Sequence, residues 1–186
     1  MKVALLFGSF NPIHLGHIQM AESAIAYGLD EVWFIPSPQN PLKDSSELLD
    51  INERITMINL AISETPQFKM IDVEKNLGTP SYTIHTLQVL SENYTHEFLL
   101  LCGTDVVHQL PKWKNFTQIL ETYSFLVCQR VVQSEWPEVL QPYLNKFIFI
   151  PFKENSISAS NIRSQQGVSL ITSVDKYIFE NHFYGY

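Results

Sequence analysis

Six short, almost uninterruptedly apolar runs punctuate this chain, and between them apolar residues recur at helical spacing. The runs are "VALLF" (3–7), "EVWFIP" (31–36), "KMIDV" (69–73), "EFLLLCG" (97–103), "YSFLVCQ" (123–129) and "KFIFIPF" (146–152). A strand with one wet face alternates apolar and polar residues, whereas a run that is apolar throughout belongs to a sheet covered on both faces. Helices are expected over 15–27, 52–63, 81–93, 116–121 and 174–181. The second of these starts at Asp50 with Glu53 three residues on, a capping-box pattern. Alternation of this kind predicts an α/β protein with a parallel, doubly wound sheet and right-handed crossovers. Stretches rich in Pro, Ser, Gln or Asn at 36–49 and 130–142 are the expected loops. No repeat or linker intervenes, and 186 residues suit a single domain, 1–186.

Charge narrows the partners. A formal net charge of −7 argues against broad binding to nucleic acid or to a membrane surface, while leaving room for a small basic pocket. Met1 leads straight into the first strand without a signal-peptide pattern, and no apolar run has the length of a membrane span. A cytoplasmic protein is expected. Its two cysteines, Cys102 and Cys128, sit in apolar runs without metal-ligand spacing and read as buried, reduced thiols.

The first strand runs into "GSFNPIHLGH" (8–17). In an open α/β sheet, ligands bind where loops leave the carboxyl ends of the strands. A strand, a glycine-containing turn and a helix start direct backbone N–H groups at an anion, with the helix dipole behind them. Gly8 permits close approach of main chain to phosphate, and Pro12 stiffens the turn. His14 and His17, three residues apart, project from one side of the first helical turn, where imidazoles can donate to phosphate oxygens. His85, His96, His108 and His182 share no such pattern and read as ordinary histidines.

"GSFNPIHLGH" resembles the HxGH signature of a nucleotidyltransferase superfamily, and "ISASNIR" (157–163) is similar to its ISSTxIR motif. "PSPQNPLK" (36–43), "PSYTIHTL" (80–87), "CGTDVVHQLPKW" (102–113) and the C-terminal "VDKYIFENHFYGY" narrow the resemblance to the bacterial nicotinate-mononucleotide adenylyltransferases. The chain departs from that pattern at Phe7, where a glycine is usual, at Asn11 for Asp, at Leu42 for His, and at Ala159 and Ser160 for Ser-Thr.

The resemblance implies a Rossmann-like fold and transfer of AMP from ATP to nicotinate mononucleotide, with magnesium accompanying ATP. It implies catalytic roles for His14, His17 and Arg163. ATP and phosphate contacts would come from Gly8, Ser9, Phe10, Gly103, Asp105, Ser158 and Ser160. The mononucleotide would meet Asn11, Lys43, Thr83 and Trp113. The chemistry agrees: nucleotidyl transfer needs in-line positioning and charge neutralisation more than a protein nucleophile. Asp105 can accept from ribose hydroxyls, Trp113 offers a face to the pyridine ring, and the start of the helix at Thr83 suits a carboxylate. No carboxylate cluster encodes a metal site. Singly, Ser158 also reads as a helix N-cap, and Thr83 and Trp113 as capping and core residues. Other nucleotidyltransferases of the superfamily, of the pantetheine-phosphate adenylyltransferase or cytidylyltransferase type, share the terminal motifs but not "PSYT" with "GTD…W". A non-catalytic nucleotide-binding module is the alternative of a different class. A homo-oligomer stays open.

Overall fold

A computed structural model describes residues 1–39, 48–129, 136–152 and 157–186. The strands are β1 (Lys2–Gly8), β2 (Glu31–Pro36), β3 (Phe68–Met70), β4 (Glu97–Gly103), β5 (Ser124–Cys128) and β6 (Phe147–Ile150). The helices are α1 (Leu15–Tyr27), α2 (Ile51–Ile62), α3 (Thr83–Asn93), α4 (Thr104–Gln109), α5 (Phe116–Thr122), α6 (Ala159–Arg163) and α7 (Thr172–Glu180). All six strands pair in parallel, in the order β3-β2-β1-β4-β5-β6. This is the Rossmann-like, doubly wound sheet expected from the alternation of runs.

The pleat divides each apolar run between two cores. Ala4, Leu6, Val32, Phe34, Leu99 and Leu101 face α1, α2 and α7. Val3, Leu5, Trp33, Ile35, Leu100 and Cys102 face α3, α4 and α5. Because both faces are covered, the strands need no polar alternation. Cys102 and Cys128 are free, buried thiols, and they fall in different cores on opposite faces of the sheet. Burial holds the Cys102 thiol well above its ordinary range, so it stays protonated and inert.

Four sequence expectations shift. β3 covers only three residues, because Asp72 already turns the chain into a 3₁₀ segment over Val73–Asn76. α4, six residues long, is too short to show a helical period and was not expected. The described end of the 130–142 loop enters a 3₁₀ segment, Glu138–Lys146, while 130–135 lies outside the described residues. Asp50 does cap α2, but by accepting the Asn52 N–H at 2.8 Å. Glu53 does not return to the cap; its carboxylate accepts the Tyr177 hydroxyl of α7 at 2.6 Å.

The strand order reverses between β1 and β4. Loops leaving these two neighbours diverge to opposite sides and open a crevice at their carboxyl ends, the standard ligand position in such a sheet.

Candidate active site

A cleft of about 1030 Å³ occupies that crevice, at the upper end of the range for small-molecule sites and large enough for two nucleotides. It is lined at the end of β1 by Gly8, Ser9, Phe10 and Asn11, and at the end of β4 by Gly103 and Asp105. His14 and His17 line it from α1, Thr83 from α3, and Trp113 from the turn after α4. Ser158, Ser160 and Arg163 close it from the far end of the chain. Every site residue expected from sequence borders this one cleft except Lys43, which lies, with Leu42, outside the described residues. Arg163, Lys112 and Lys114 face Glu74 and Asp105 as its charged lining. An acidic chain thus presents a local excess of cations there.

The two histidines form one unit. Their rings lie 3.9 Å apart, tilted by 37°. His17 Nδ1 accepts the His14 backbone N–H at 3.2 Å. That bond fixes the tautomer: the neutral ring must carry its proton on Nε2, leaving an N–H donor at the outer end of the ring. Phe10 holds the other side of His17, edge to face with ring centroids 5.0 Å apart. Phe10 is 1% exposed, so its ring is a packing group and not a phosphate contact. A Cβ on Gly8 would stand 3.0 Å from the Phe10 ring tip. Gly8 therefore leaves room for the ring that supports His17, a packing reason beside close approach to phosphate.

The start of α1 offers fewer open amides than its sequence promised. The Leu15 N–H donates to Ser169 O and the His17 N–H to His14 O, both at 2.9 Å, while the His14 N–H is engaged by His17. Anion recognition here falls on side chains and on the turn before the helix.

Asn11 joins three segments. Its Oδ1 accepts the Leu49 N–H at 3.2 Å and the Tyr184 hydroxyl at 2.9 Å. Its main-chain oxygen accepts from Arg163 Nη1 at 2.9 Å. A carboxamide oxygen suffices for these two bonds without adding a negative charge beside a phosphate site. Burial raises the Tyr184 phenol well above its ordinary value, against the pull of Arg163 and Arg54, so it remains the donor. The last residues also fasten α6 and the turn after it, with Tyr186 Oη reaching Ile162 O at 3.2 Å and Gly167 O at 2.8 Å. Ser158 is the N-cap of α6, accepting the Asn161 N–H at 3.1 Å. A hydroxyl that accepts there keeps its own proton for a second partner.

The opposite wall is less engaged. Tyr82 occupies the N-cap of α3 without a side-chain cap, and Tyr82 and Thr83 at that helix start border the cleft. Asp105 stands exposed in the first turn of α4, where an acidic side chain is favoured by the dipole. Trp113 is partly buried against the α3–α5 core and still borders the cleft, combining its two sequence readings. Lys114 Nζ sits 4.5 Å above the Tyr82 ring. This wall also carries Glu74, unmarked by sequence, and Ser81 of the "PSYTIHTL" stretch. Glu74 is 1% exposed and accepts the Thr86 hydroxyl at 2.7 Å through Oε1. Its Oε2, and the buried Ser81 Oγ, have no hydrogen-bond partner among the described residues.

Comparison with known proteins agrees with this geometry. A cytidylyltransferase-like family model matches residues 5–165. A Cytophaga hutchinsonii protein named probable nicotinate-nucleotide adenylyltransferase is 42% identical over 167 residues, covering 88% of this chain and 85% of its own. A Flavobacterium johnsoniae protein of the same name is 38% identical over 195 aligned residues, covering 99% of each chain. Among solved structures, a Plasmodium falciparum nicotinic acid mononucleotide adenylyltransferase complexed with NaAD aligns with a TM-score of 0.78 at 18% identity, over 98% of this chain and 97% of that one. At that identity the likeness speaks for the fold. By family match and by relatives spanning nearly its whole length, the chain belongs to the cytidylyltransferase-like family, in the group of the nicotinate-nucleotide adenylyltransferases.

Proposed function

We propose that this protein transfers AMP from ATP to nicotinate mononucleotide, giving deamido-NAD and pyrophosphate. One observation carries the reading. Two motifs 152 residues apart in sequence meet at one crevice, through the 2.9 Å bond from Arg163 to the Asn11 carbonyl. The family's relatives bear the name of this activity over the whole chain.

In the reaction a phosphate oxygen of the mononucleotide attacks the α-phosphorus of ATP. The new P–O bond forms as the bond to the β-phosphate breaks, and pyrophosphate leaves with that electron pair. A phosphate monoester is largely dianionic at neutral pH, so the nucleophile needs no base. The protein's task is in-line placement and stabilisation of spreading charge. His17 donates Nε2–H to the α-phosphate oxygens, and its ring is held for that by the His14 amide and the Phe10 edge. His14 borders the same oxygens. Arg163, with the Ser158 and Ser160 hydroxyls, receives the leaving pyrophosphate as a fork of charged donors. Gly8, Ser9 and the Phe10 main chain line the phosphate path. Asp105 beside Gly103 accepts from the ATP ribose. Thr83 and the open amides of α3 meet the nicotinate carboxylate, Trp113 stacks on the pyridine ring, and Lys43 and Asn11 serve the mononucleotide phosphate side.

Among the described residues no cluster of His, Cys, Asp or Glu could hold a metal ion. Magnesium, as part of a MgATP substrate, would neutralise phosphate charge. The described residues include no helix long and apolar enough to cross a membrane, and the partners are small molecules. The test is product analysis by mass spectrometry, with MgATP or MgCTP and each of nicotinate mononucleotide and phosphopantetheine. Deamido-NAD and equimolar pyrophosphate are expected; product only from CTP or phosphopantetheine would move the chain to another branch of the family.

A further inference from the structure

Arg54 lies on the buried stripe of α2 with Met57, Ile58 and Ile62, and is 1% exposed. Among the described residues its guanidinium donates to main-chain carbonyls only. Nε reaches Leu49 O at 2.9 Å, Nη1 reaches Ser9 O at 2.6 Å and Ser37 O at 2.8 Å, and Nη2 reaches Pro38 O at 3.0 Å. Three segments converge on one cation: the turn after β1, the exit from β2, and the entry to α2. The first flanks the histidine pair. The second opens the loop that contains Lys43. They also touch directly, the Ser37 N–H donating to Gly8 O at 2.9 Å.

Burying a charge without a hydrogen-bonded carboxylate is costly, and a leucine or methionine would fill this stripe more cheaply. Desolvation lowers the Arg54 pKa to about 10, partly offset by Tyr184 and Asp50, so the group stays charged near neutrality. What a hydrocarbon cannot supply is a rigid, planar fork of donors that holds several carbonyls in fixed relation. Arg54 does not line the cleft, so it acts through the main chain it holds.

We infer that Arg54 is a positioning residue for nucleotidyl transfer: it locks the phosphate-side turn at Ser9 to the β2 exit at Ser37 and Pro38, so that the turn needs no reorganisation when phosphates arrive. The inference rests on the reading of that turn as the phosphate site. None of its hydrogen bonds among the described residues reaches the end of β4, the proposed ATP ribose side.

Arg54→Lys keeps the charge and loses the fork. It is expected to lower kcat/KM for ATP about 10²-fold, the scale of a 1 Å misplacement, while the Kd for adenosine stays at the wild-type value. In the ligand-free protein, amide hydrogen exchange at residues 9–11 and 37–39 is expected to quicken in this variant, with β1 and β4 unchanged. Guanidinium ion added to Arg54→Ala is expected to restore part of the lost turnover, and to do nothing for wild type. Wild-type kcat/KM in Arg54→Lys, equal loss of ATP and adenosine binding, or unchanged exchange at both segments would each overturn the inference. A wild-type protein that fails to bind ATP would refute the phosphate reading instead, and the exchange comparison would still decide whether Arg54 holds the two segments.

Discussion

The two walls of the cleft are built on different terms. On the phosphate side, polar groups are engaged by the protein: His17 Nδ1 with the His14 main-chain N–H, Asn11 with Leu49, Tyr184 and Arg163, and Ser158 with its own helix. On the opposite wall, α3 starts without a side-chain cap, and Ser81 Oγ and Glu74 Oε2 lack a partner among the described residues. Rate and selectivity therefore fall on different walls. Transition-state charge is best met by donors fixed in advance, because reorganisation at the moment of reaction would cost rate. Choice between similar substrates is best made by groups that only the right substrate completes.

The largest effect should come from the preset wall. His17→Ala removes a donor whose tautomer is fixed by the His14 amide, and should lower kcat by about 10²–10³-fold with the fold intact. Steady-state turnover together with circular dichroism checks this, and near-normal turnover would break the contrast between the walls.

Arg163→Lys keeps a cation but cannot reproduce a planar fork that braces the Asn11 carbonyl and meets pyrophosphate, so kcat/KM should fall about tenfold or more. Full activity in Lys would make Arg163 a generic charge. Product inhibition by pyrophosphate, expected to weaken in the same variant, is the independent check.

On the open wall a substitution should alter discrimination rather than chemistry. A carboxamide presents an NH₂ donor to the donors of Thr83 and the α3 amides, an imperfect pairing that costs about 1–3 kcal/mol. The acid should therefore be preferred by roughly 5- to 150-fold in kcat/KM. Thr83→Val should reduce that ratio without inverting it. Parallel kinetics on the two mononucleotides measure it, and an unchanged ratio would show that Thr83 serves α3 alone.

The smallest effect belongs to Ser158→Ala. Loss of the N-cap should cost about 0.5–2 kcal/mol of local helix stability, and at most about tenfold in kcat/KM. Thermal melting and turnover separate the two. A loss approaching that of His17→Ala would mean that the Ser158 proton, and not the cap, is its main contribution.

Much of this was legible in the residues. Continuous apolar runs alternating with helical spacing dictate a doubly covered parallel sheet, and the position of "GSFNPIHLGH" after the first run puts the histidines at its ligand edge. The Phe10 side chain was not legible, because a phenylalanine inside a polar turn reads as exposed until the sheet supplies Phe34 beside it, with ring centroids 5.8 Å apart. Nor was the closure of the α1 amides, which depends on Ser169, more than 150 residues away in the chain. Arg54 did leave a signal: it stands three and four residues before Met57 and Ile58, so an arginine sits on an apolar stripe. Read as surface charge it is ordinary; read by helical period it has to be buried. Glu74 gave no sign, and Thr86 only as part of "PSYTIHTL", since a short irregular connection and a helix turn meet only in three dimensions.

A preset phosphate wall that transfers AMP to whichever mononucleotide completes the other wall should favour the acid. One competition reaction tests it most directly: limiting MgATP with equimolar nicotinate mononucleotide and nicotinamide mononucleotide, the dinucleotide products quantified by mass spectrometry. Deamido-NAD in excess over NAD, by roughly 5- to 150-fold, is the predicted result. Equal amounts, an excess of NAD, or no dinucleotide at all would contradict it.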